Sequence, residues 1–348
     1  MTYHPTNYTN PYRLVAIGGG GGVSQLMLGA APYFAQRTAL IAVTDTGRST
    51  GTARAIGDLP APGDLRNTLA ALAAEPTGFW ARLVQHRLIA PDVPALDGMA
   101  FGNLFIAALT QLEGDFAQAV QKLSELLACS ATVLPIANVS AHICAELEDG
   151  TYVERELEVR GLHKAPIKRL WLSPPDAAAS SAALAAIVQA DLVVLGPGSF
   201  YTSLQACLSF GGVVEALRQT RAKLAFICNS TTQPGQTDGM GAYAHVQRLV
   251  ALLGPNVLSY ALISRGDQIA PEVREAYAAK GLHLIEPDDA ELERISALGV
   301  TPIVRPLLES NDGPRQLWNK LDTIRSDPAA LGHALWACVL PKDTESGR

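Results

Sequence analysis

Residues 15–24 read VAIGGGGGVS, an apolar run that breaks into the five glycines Gly18–Gly22. The residues that follow, LMLGAA at positions 26–31, are typical of a helix. Strand, glycine turn and helix in this order bring backbone N–H groups and a helix N-terminus onto one anionic group. Glycine suits such a turn because it adopts positive φ and lets a phosphate approach the main chain closely. The stretch therefore predicts a phosphate-binding turn between a strand and a helix.

The glycine run by itself leaves two other interpretations open. The dinucleotide-binding fingerprint has glycine at its first, third and sixth positions, and counting from Gly18 the sixth position is Val23. No Gly-Lys-Ser/Thr follows the run, which argues against a P-loop of the ATPase type. A tight turn with no ligand, or a variant dinucleotide site, remains an alternative at this point.

The composition limits the classes of function that the chain can have. Hydrophobic residues make up 48% of its 348 residues and charged residues 17%, which indicates a globular α/β protein rather than a disordered one. The net charge of −6 without a basic stripe argues against nucleic acid or an anionic membrane as the main partner. No apolar run reaches the length of a transmembrane helix.

The domain boundaries and the cellular location are also expectations from composition. We expect residues 1–11 to be a flexible extension, residues 12–340 to form a single α/β domain, and residues 341–348 to be a flexible tail. The histidines show no paired zinc-ligand spacing. Five scattered cysteines without a CxxC pair predict reduced thiols in a cytoplasmic protein. They are Cys129, Cys144, Cys207, Cys228 and Cys338.

Apolar runs and helical patterns alternate along most of the chain. This alternation predicts a doubly wound, mostly parallel, Rossmann-like sheet with helices on both faces. Residues 141–148 and 151–159, joined at Asp149-Gly150, predict an inserted β-hairpin at a sheet edge or in a small subdomain. Besides the first strand, the expected strands of the alternating pattern are residues 39–44, 132–136, 167–172, 191–195, 223–228, 257–263, 282–285 and 302–307. A helix is also expected over residues 176–189.

Four polar loops follow apolar strands: the glycine run and the loops that begin at Asp45, Gly196 and Asn229. Ligands of open α/β sheets bind outside the carboxyl ends of the strands, so these loops predict a site for a ligand with two phosphates. The hydroxyl groups available there belong to Ser49, Thr50, Ser199, Thr202 and Ser203.

Charged side chains in and near the second loop suggest how a metal ion and a phosphate could be held. Asp45 and Asp64 could bind a Mg²⁺ ion that keeps several waters and bridges phosphate oxygens. Alternatively, Asp64 could simply cap the helix that follows it. Arg48, Arg54 and Arg66 lie in the same stretch and could supply the cation that phosphate sites usually need.

Six ordered motifs resemble the CofD/YvcK-like family from about residue 14 to residue 340. They are IGGGGG at 17–22, TDTGRSTG at 44–51, GDLRN at 63–67, FGNLFIAAL at 101–109, ADLVVLGPGSFYTSL at 190–204 and CNSTTQPGQTDG at 228–239. That family includes 2-phospho-L-lactate transferase of deazaflavin-coenzyme biosynthesis and bacterial gluconeogenesis-factor proteins that bind UDP-sugars. The residues of the motifs GDLRN, FGNLF and TQPGQTD resemble those of the gluconeogenesis-factor branch.

The resemblance implies a role for several residues. It assigns Asp45 and Asp64 to Mg²⁺, and it places Asn103 and Asn229 in motifs that line the same cleft. Arg325, in a segment similar to the family's Arg-His-Asp tail, is implied to bind the nucleotide sugar. The residues implied to line the nucleotide phosphates are Gly18, Gly19, Gly20, Gly21 and Gly22 in the first loop, and Gly196, Gly198 and Ser199 in the second.

Two departures from the family pattern favour binding over catalysis. The chain has Thr46 and Arg48 where the family commonly has a second Asp or Asn and a glycine, which weakens the metal site. Met99 or Ala100 stands where the family often has a histidine, which removes a possible general acid or base.

Three functions follow as hypotheses, and no catalytic residue is assigned. The first is a cytoplasmic, homodimeric UDP-sugar-binding protein that regulates carbon metabolism or cell-wall precursor supply and cell shape. The second is a Mg²⁺-dependent transferase that moves a phospho-lactyl-type group from a guanylyl-activated donor to a deazaflavin. The third, an NAD-type oxidoreductase, would rest on the fold alone.

Overall fold

A seven-stranded parallel sheet forms the centre of the protein. We describe residues 11–267, 269–309 and 324–340 of a computed structural model. The strands are β1 Arg13–Gly18, β2 Gln36–Ile41, β3 Thr132–Pro135, β4 His142–Leu147, β5 Tyr152–Glu154, β6 Ile167–Ser173, β7 Leu192–Leu195, β8 Lys223–Ile227, β9 Tyr260–Ser264 and β10 Thr301–Arg305. The large sheet has the order β10-β9-β8-β7-β1-β2-β3, and β5-β4-β6 form a separate antiparallel sheet. The predicted doubly wound α/β architecture with an inserted hairpin is therefore confirmed.

The central strands are apolar along their whole length because helices cover both faces of the sheet. The β1 residues Leu14 to Ile17 and all four residues of β7 are buried. In register, Ile17 pairs with Leu195 on one side of β1 and with Leu40 on the other. Continuous apolar runs were therefore a reliable indicator of the interior strands.

The strand order reverses direction at β1. The chain proceeds from β1 through β2 to β3 on one side, and from β7 through β8 and β9 to β10 on the other. The carboxyl ends of β1 and β7 thus lie side by side, with the loops that follow them diverging to different parts of the fold. Such a switch point opens a crevice at the carboxyl edge of the sheet. We call it the switch-point crevice.

Helices connect the strands. Their bounds are α1 Gly20–Ala30, α2 Arg48–Ala55, α3 Gly63–Leu72, α4 Phe79–Gln85, α5 Phe101–Glu113, α6 Phe116–Leu126, α7 Arg155–Val159, α8 Ser181–Gln189, α9 Ala206–Leu208, α10 Val213–Gln219, α11 Ala242–Leu253, α12 Pro271–Ala278, α13 Asp289–Ala297 and α14 Pro328–Val339. A π-helical segment, Phe200–Gln205, precedes α9. None of the helices in the described ranges combines the length and apolar character needed to cross a membrane.

The strand predicted at residues 167–172 lies in the small sheet rather than in the alternating parallel pattern. As β6 it pairs antiparallel with β4, with Ile143 opposite Leu172. Its Lys168 and Arg169 are exposed and bind the Glu146 carboxylate at 2.7 and 2.6 Å. A strand covered on both faces would have no solvent for these two cations, so the structure places it at the surface.

Other elements also differ from the predicted boundaries. The strands predicted at residues 39–44 and 257–263 span Gln36–Ile41 and Tyr260–Ser264. The second hairpin strand ends at Glu154, because Arg155 has φ +66° and α7 begins there. Residues 282–285 form no strand, and Leu284 makes only a single bridge to Thr231. The helix predicted from residue 176 begins at Ser181, where the Ser180 side chain caps it by accepting from the Ala183 N–H.

A buried histidine supports the segment that follows β7. The His245 side chain is fully buried, and its ring lies 4.7 Å from the Phe200 ring in an edge-to-face contact. Its Nδ1 donates to the Gly241 carbonyl at 2.8 Å. Burial is the main reason why the pKa of His245 falls to about 4.

We expect this histidine to make the stability of the protein depend on pH. The unfolded chain binds a proton at His245 below its ordinary pKa of about 6.5, whereas the folded chain does so only near pH 4. The stabilisation is therefore present above pH 6.5 and is lost as the pH falls from 6.5 towards 4, by up to about 3 kcal/mol. Urea denaturation at pH 7.5 and 5 measures it. His245→Asn keeps a donor for Gly241, and its free energy of unfolding should change less between these two pH values. An equal change in both proteins would contradict the assignment.

Candidate functional site

The two glycine-rich loops meet at the switch-point crevice. A Cβ on Gly18 or Gly22 would lie 3.2 or 2.7 Å from the Pro197 carbonyl oxygen. A Cβ on Gly198 would lie 3.4 Å from the Gly19 backbone nitrogen. Gly19 is the extended N-cap residue of α1 and, as a glycine, makes no side-chain cap hydrogen bond. The loops predicted from two separate parts of the sequence therefore form one backbone-lined surface at a helix N-terminus.

The glycines of the first loop also serve packing, which the phosphate interpretation alone did not predict. A Cβ on Gly20 would lie 2.5 Å from the Asp64 carbonyl oxygen, so α1 and α3 touch through their main chains. The Thr68 hydroxyl adds a hydrogen bond of 3.2 Å to the Gly20 carbonyl. Gly21 has no neighbouring atom within 4 Å of such a Cβ. The five glycines are thus not equivalent.

The loop after β7 is held by side chains from the loop after β8. Gly196 and Gly198 have φ of +88° and +151°, a conformation that favours glycine. Asn229 Nδ2 donates to the Gly198 carbonyl at 2.9 Å. Gln233 accepts from the Phe200 N–H and donates to Ser199 Oγ, each at 3.2 Å. Asn229 is therefore a positioning residue for the second glycine loop, and Gln233 is a second one that the sequence analysis missed.

The hydroxyl groups predicted for this region have different surroundings. Thr202 lies in the π-helical segment and is buried, and Ser203 Oγ is 2.6 Å from the position of a Cβ on Gly19. Thr50 Oγ1 lies 2.3 Å from the position that a Cβ on Gly63 would take. Ser199 contacts Gln233, as described above. Of these hydroxyl groups, that of Ser203 lies at the contact between the two glycine loops.

The two predicted metal ligands come from different elements, Asp45 from the loop after β2 and Asp64 from α3. Asp45 Oδ1 accepts from the Gly47 N–H at 2.8 Å. Asp64 lies inside the first turn of α3, whose N-cap is Pro62, and its Oδ2 is 3.1 Å from the position of a Cβ on Gly19. Asp64 therefore faces the first glycine loop instead of capping α3.

A third carboxyl group, Glu156, comes from the hairpin insertion. Glu156 lies on α7, accepts from Arg160 at 3.2 Å and shares a hydrogen bond with Asp45. Burial, followed by the Asp45 hydrogen bond and charge, raises the pKa of Glu156 to about 8. Nothing in the local sequence indicated this contact, because Glu156 is 111 positions from Asp45.

The hairpin insertion contacts the crevice loops at a second point. A Cβ on Gly235, in the loop after β8, would lie 2.8 Å from the Arg160 carbonyl oxygen, and Lys164 Nζ donates to the Gly235 carbonyl. Together with Glu156, these contacts join the small sheet to the loops after β2 and β8. The insertion therefore forms one wall of the site region.

Two of the predicted cationic side chains bind protein groups. Arg54 donates to the Asp45 carbonyl at 3.1 Å and to the Ala141 carbonyl at 2.9 Å, and it thus braces the Asp45 loop against the start of β4. Arg66 is 3% exposed, and burial is the main reason why its pKa falls to about 10. The Arg48 side chain lies outside the part of the chain that the structure describes.

Asn103 is more deeply placed than a cleft-lining residue. It is fully buried on α5, where its Oδ1 accepts from Arg66 at 3.2 Å and its Nδ2 donates to Ser49 Oγ at 3.1 Å. Arg66 also donates to Asn67 Oδ1 at 2.7 Å. The half-buried Ser49, in the first turn of α2, is the outermost member of this chain of hydrogen bonds.

Arg325 lies in a different place. The Glu309 N–H donates to its carbonyl at 2.9 Å, and Leu308 bridges Ser326 beside it. These contacts put Arg325 next to the chain leaving β10, which is four strand positions from β1. These contacts place the Arg325 main chain beside the segment after β10, and its binding of a nucleotide sugar stays a prediction.

Comparison with known proteins places this fold and these loops in a family. A family model described as 2-phospho-L-lactate transferase CofD matches residues 14–308. The chain belongs to the CofD family. Among curated CofD-family relatives, it is 37% identical over 290 residues to a protein named gluconeogenesis factor from Halalkalibacterium halodurans, covering 83% of this chain and 88% of that one. It is 35% identical over 292 residues to the gluconeogenesis factor of Bacillus subtilis, covering 84% and 89%.

A solved CofD-family relative has the same fold. The X-ray crystal structure of a Bacillus halodurans protein superposes with a TM-score of 0.84 at 34% sequence identity. The match covers 93% of this chain and 99% of that one. The sequence resemblance to the CofD/YvcK-like family, and to its gluconeogenesis-factor members, is therefore confirmed.

The residues present define the chemistry that the crevice can support. Backbone N–H groups at the N-terminus of α1 and hydroxyl groups around them suit phosphate oxygens. Asp45, in a loop, and Asp64, on α3, are hard oxygen donors. Mg²⁺ is commonly held by one or two carboxylates together with substrate phosphates and waters. In the described residues, no group of three or more His, Cys, Asp and Glu side chains could hold a metal ion. The donor set therefore fits a Mg²⁺ ion that arrives with a phosphate, and it does not form a complete protein cage.

Proposed function

We propose that this CofD-family protein binds a nucleotide-diphosphate sugar of the UDP-sugar type at the switch-point crevice. The observation that carries the proposal is the contact between the two glycine loops, where the backbone of Gly198 meets that of Gly19 at the N-terminus of α1. Two adjacent backbone-lined turns suit the two phosphates of a diphosphate. The relatives named gluconeogenesis factor support a regulatory role in carbon metabolism. We propose that this regulation extends to cell-wall precursor supply and cell shape.

The state of the charged groups favours binding without turnover. Arg54 and Arg66 are committed to protein carbonyl and amide groups, and the Asp45 carboxylate is hydrogen-bonded to Glu156. Groups held in this way are suited to keeping the loops in place. We propose that Asp45 and Asp64 hold a Mg²⁺ ion, whose role would be to neutralise charge on the phosphates.

The cellular setting belongs to the same proposal. The free cysteines, all of them in described parts of the chain, support a cytoplasmic protein. Exposed apolar side chains on and after α4 support self-association as a homodimer. Phe79 is 68% exposed and Ile89 is 88% exposed.

A transferase function is the second candidate. The family model that matches residues 14–308 is described as a 2-phospho-L-lactate transferase, and the two carboxylates that resemble its metal ligands are both present near the crevice. In that case the deazaflavin hydroxyl would attack the phosphorus of the phospho-lactyl group, lose its proton, and displace guanosine monophosphate from the donor. Asp45 and Asp64 would hold a Mg²⁺ ion, which would supply charge neutralisation for the phosphates.

A thermal-shift screen separates the candidates. UDP-N-acetylglucosamine, UDP-glucose, GDP and NAD are tested with and without Mg²⁺. A ligand present at 100 times its Kd stabilises the native state by about 2.7 kcal/mol, so a bound nucleotide shifts Tm by several degrees. Shifts with UDP-sugars alone support the regulatory proposal, a Mg²⁺-dependent shift with GDP supports the transferase, and no shift with any UDP-sugar overturns the first proposal.

Two variants test the assignment of Asp45 and Asp64 to Mg²⁺. We expect Asp45→Asn and Asp64→Asn to abolish the part of the shift that depends on Mg²⁺, because each removes one hard oxygen ligand. Asp92→Asn, a change at an exposed loop residue, is the matched control and should retain the shift. If both site variants respond to Mg²⁺ as the wild type does, the ion is bound elsewhere or not at all.

A further inference from the structure

We infer that a buried relay of hydrogen bonds, Arg66–Asn103–Ser49, makes the Ser49 hydroxyl a dedicated donor to the anionic group bound in the switch-point crevice. The inference rests on the proposed function, since it concerns the phosphates of that ligand. It identifies Arg66 and Asn103 as positioning residues and Ser49 as the residue that contacts the ligand.

The direction of the relay is determined by the chemistry of arginine. A guanidinium group only donates hydrogen bonds, so the atom of Asn103 that faces Arg66 must be its carbonyl oxygen. The amide nitrogen of Asn103 then faces Ser49 and donates to its hydroxyl oxygen at 3.1 Å. Reversing the amide would place N–H groups against the guanidinium in a buried site, which is costly. Ser49 Oγ therefore acts as an acceptor inside the protein.

Burial keeps this arrangement in place. Asn103 is fully buried and Arg66 is 3% exposed, so water is not an easy substitute for either partner. The second hydrogen bond of Arg66, to Asn67 Oδ1 at 2.7 Å, fixes the other side of the guanidinium. The relay thus begins at a rigid, desolvated cation and ends at a half-buried hydroxyl group.

The position of Ser49 places its hydroxyl group at the carboxyl edge of the sheet. Ser49 is in the first turn of α2, which follows the Asp45 loop at the carboxyl edge of the sheet. Helical side chains tilt towards the helix N-terminus, which here is the Gly47 end. Because the Ser49 oxygen already accepts from Asn103, its O–H is left to donate outward. A phosphate oxygen is an acceptor of the matching kind.

The relay is tested by reversing the direction of the hydrogen bond between residue 103 and Ser49. Asn103→Asp is nearly isosteric and keeps an acceptor for Arg66, but its second oxygen also accepts, so Ser49 must donate inward. The hydrogen bond from Ser49 to the charged phosphate is then lost. We therefore expect about a tenfold or greater rise in the Kd of UDP-glucose, measured by isothermal titration calorimetry. Ser49→Ala should raise the Kd by a similar factor.

A double-mutant cycle separates the relay from two simpler effects. Asn103→Asp adds a negative charge and could disturb packing, and both effects would persist when Ser49 is alanine. The relay instead predicts that Asn103→Asp has little further effect in the Ser49→Ala background. Asn67→Asp is the matched control, since it adds the same charge to the other partner of Arg66 and should leave the Kd within about twofold of wild type. Equal losses in both backgrounds, or no loss in Ser49→Ala, overturn the inference.

Two further measurements keep the test decisive. If Asn103→Asp does not fold, two variants of Arg66 replace it. Arg66→Lys still only donates hydrogen bonds and should bind UDP-glucose like wild type, whereas Arg66→Gln can also accept and should bind it more weakly. Equal affinities of the two variants would contradict the relay. Inorganic pyrophosphate serves as a second probe. Binding of pyrophosphate but of no nucleotide means that the proposed function fails while the relay is still measured, and binding of neither overturns both.

Discussion

Alanine at Gly29 or at Gly332 is expected to lower the free energy of unfolding by about 3 kcal/mol or more. The helices α1 and α14 cross at these two residues with their main chains in contact. A Cβ on Gly29 would lie 1.7 Å from the Pro328 carbonyl oxygen, and one on Gly332 would lie 2.0 Å from the Gly29 carbonyl oxygen. The obstructing atoms are backbone, so the helices must separate rather than a side chain rotate. Urea denaturation of both variants measures the loss.

Gly21→Ala is the matched control for this prediction. Gly21 lies on the same helix, and a Cβ there would meet no atom within 4 Å. Since alanine has a higher helix propensity than glycine by about 1 kcal/mol, Gly21→Ala should be neutral or stabilising. A loss in Gly21→Ala as large as that in Gly29→Ala would show that α1 itself, and not its crossing with α14, is sensitive to substitution.

The second large effect is expected at Gly198, on ligand binding. Gly198→Ala places a methyl group 3.4 Å from the Gly19 backbone nitrogen, at a residue whose φ is +151°. The substitution both strains the second glycine loop and crowds the backbone of the first, where we propose that the phosphates bind. We expect the Kd of UDP-glucose to rise at least tenfold, a difference of about 1.4 kcal/mol in binding free energy. Isothermal titration calorimetry measures the change.

Backbone strain alone can be distinguished from a local effect on the crevice. Gly150 also has positive φ, +84°, but it lies at the tip of the hairpin with no atom within 4 Å of a Cβ. Gly150→Ala should therefore destabilise the fold by about 1–2 kcal/mol and leave the Kd unchanged. If Gly198→Ala binds as tightly as Gly150→Ala, the second glycine loop does not contact the ligand.

Local patterns were sufficient to predict the main sheet. The strands β1 and β7 are buried on both faces, and a continuous apolar run is the direct consequence of that burial. The strand at residues 167–172 has a similar apolar content, but its Lys168 and Arg169 need solvent. Its membership of the small sheet depends on a partner, Glu146, that lies on another strand. Periodicity along one strand contains no information about such a partner.

The candidate site also combines features that the local sequence predicts with features that depend on distant residues. The glycine loops could be recognised because positive φ and close backbone approach require a particular residue type at a particular position. The side chains that hold these loops are ordinary residues whose role comes from long-range contacts. Gln233 reaches Ser199, Glu156 reaches Asp45, and Arg66 fixes the orientation of the Asn103 amide.

The amino-acid sequence of this CofD-family protein determined the order of strands and helices and the places where backbone must bend through glycine. These features depend on local sterics and on burial, which act on neighbouring residues. Tertiary structure alone decided which loops meet, which carboxyl groups contact each other and which way the Asn103 amide points. Those outcomes depend on groups that are distant in the chain and that become partners only after the sheet has assembled, because charge pairing and hydrogen-bond direction are properties of atoms in contact.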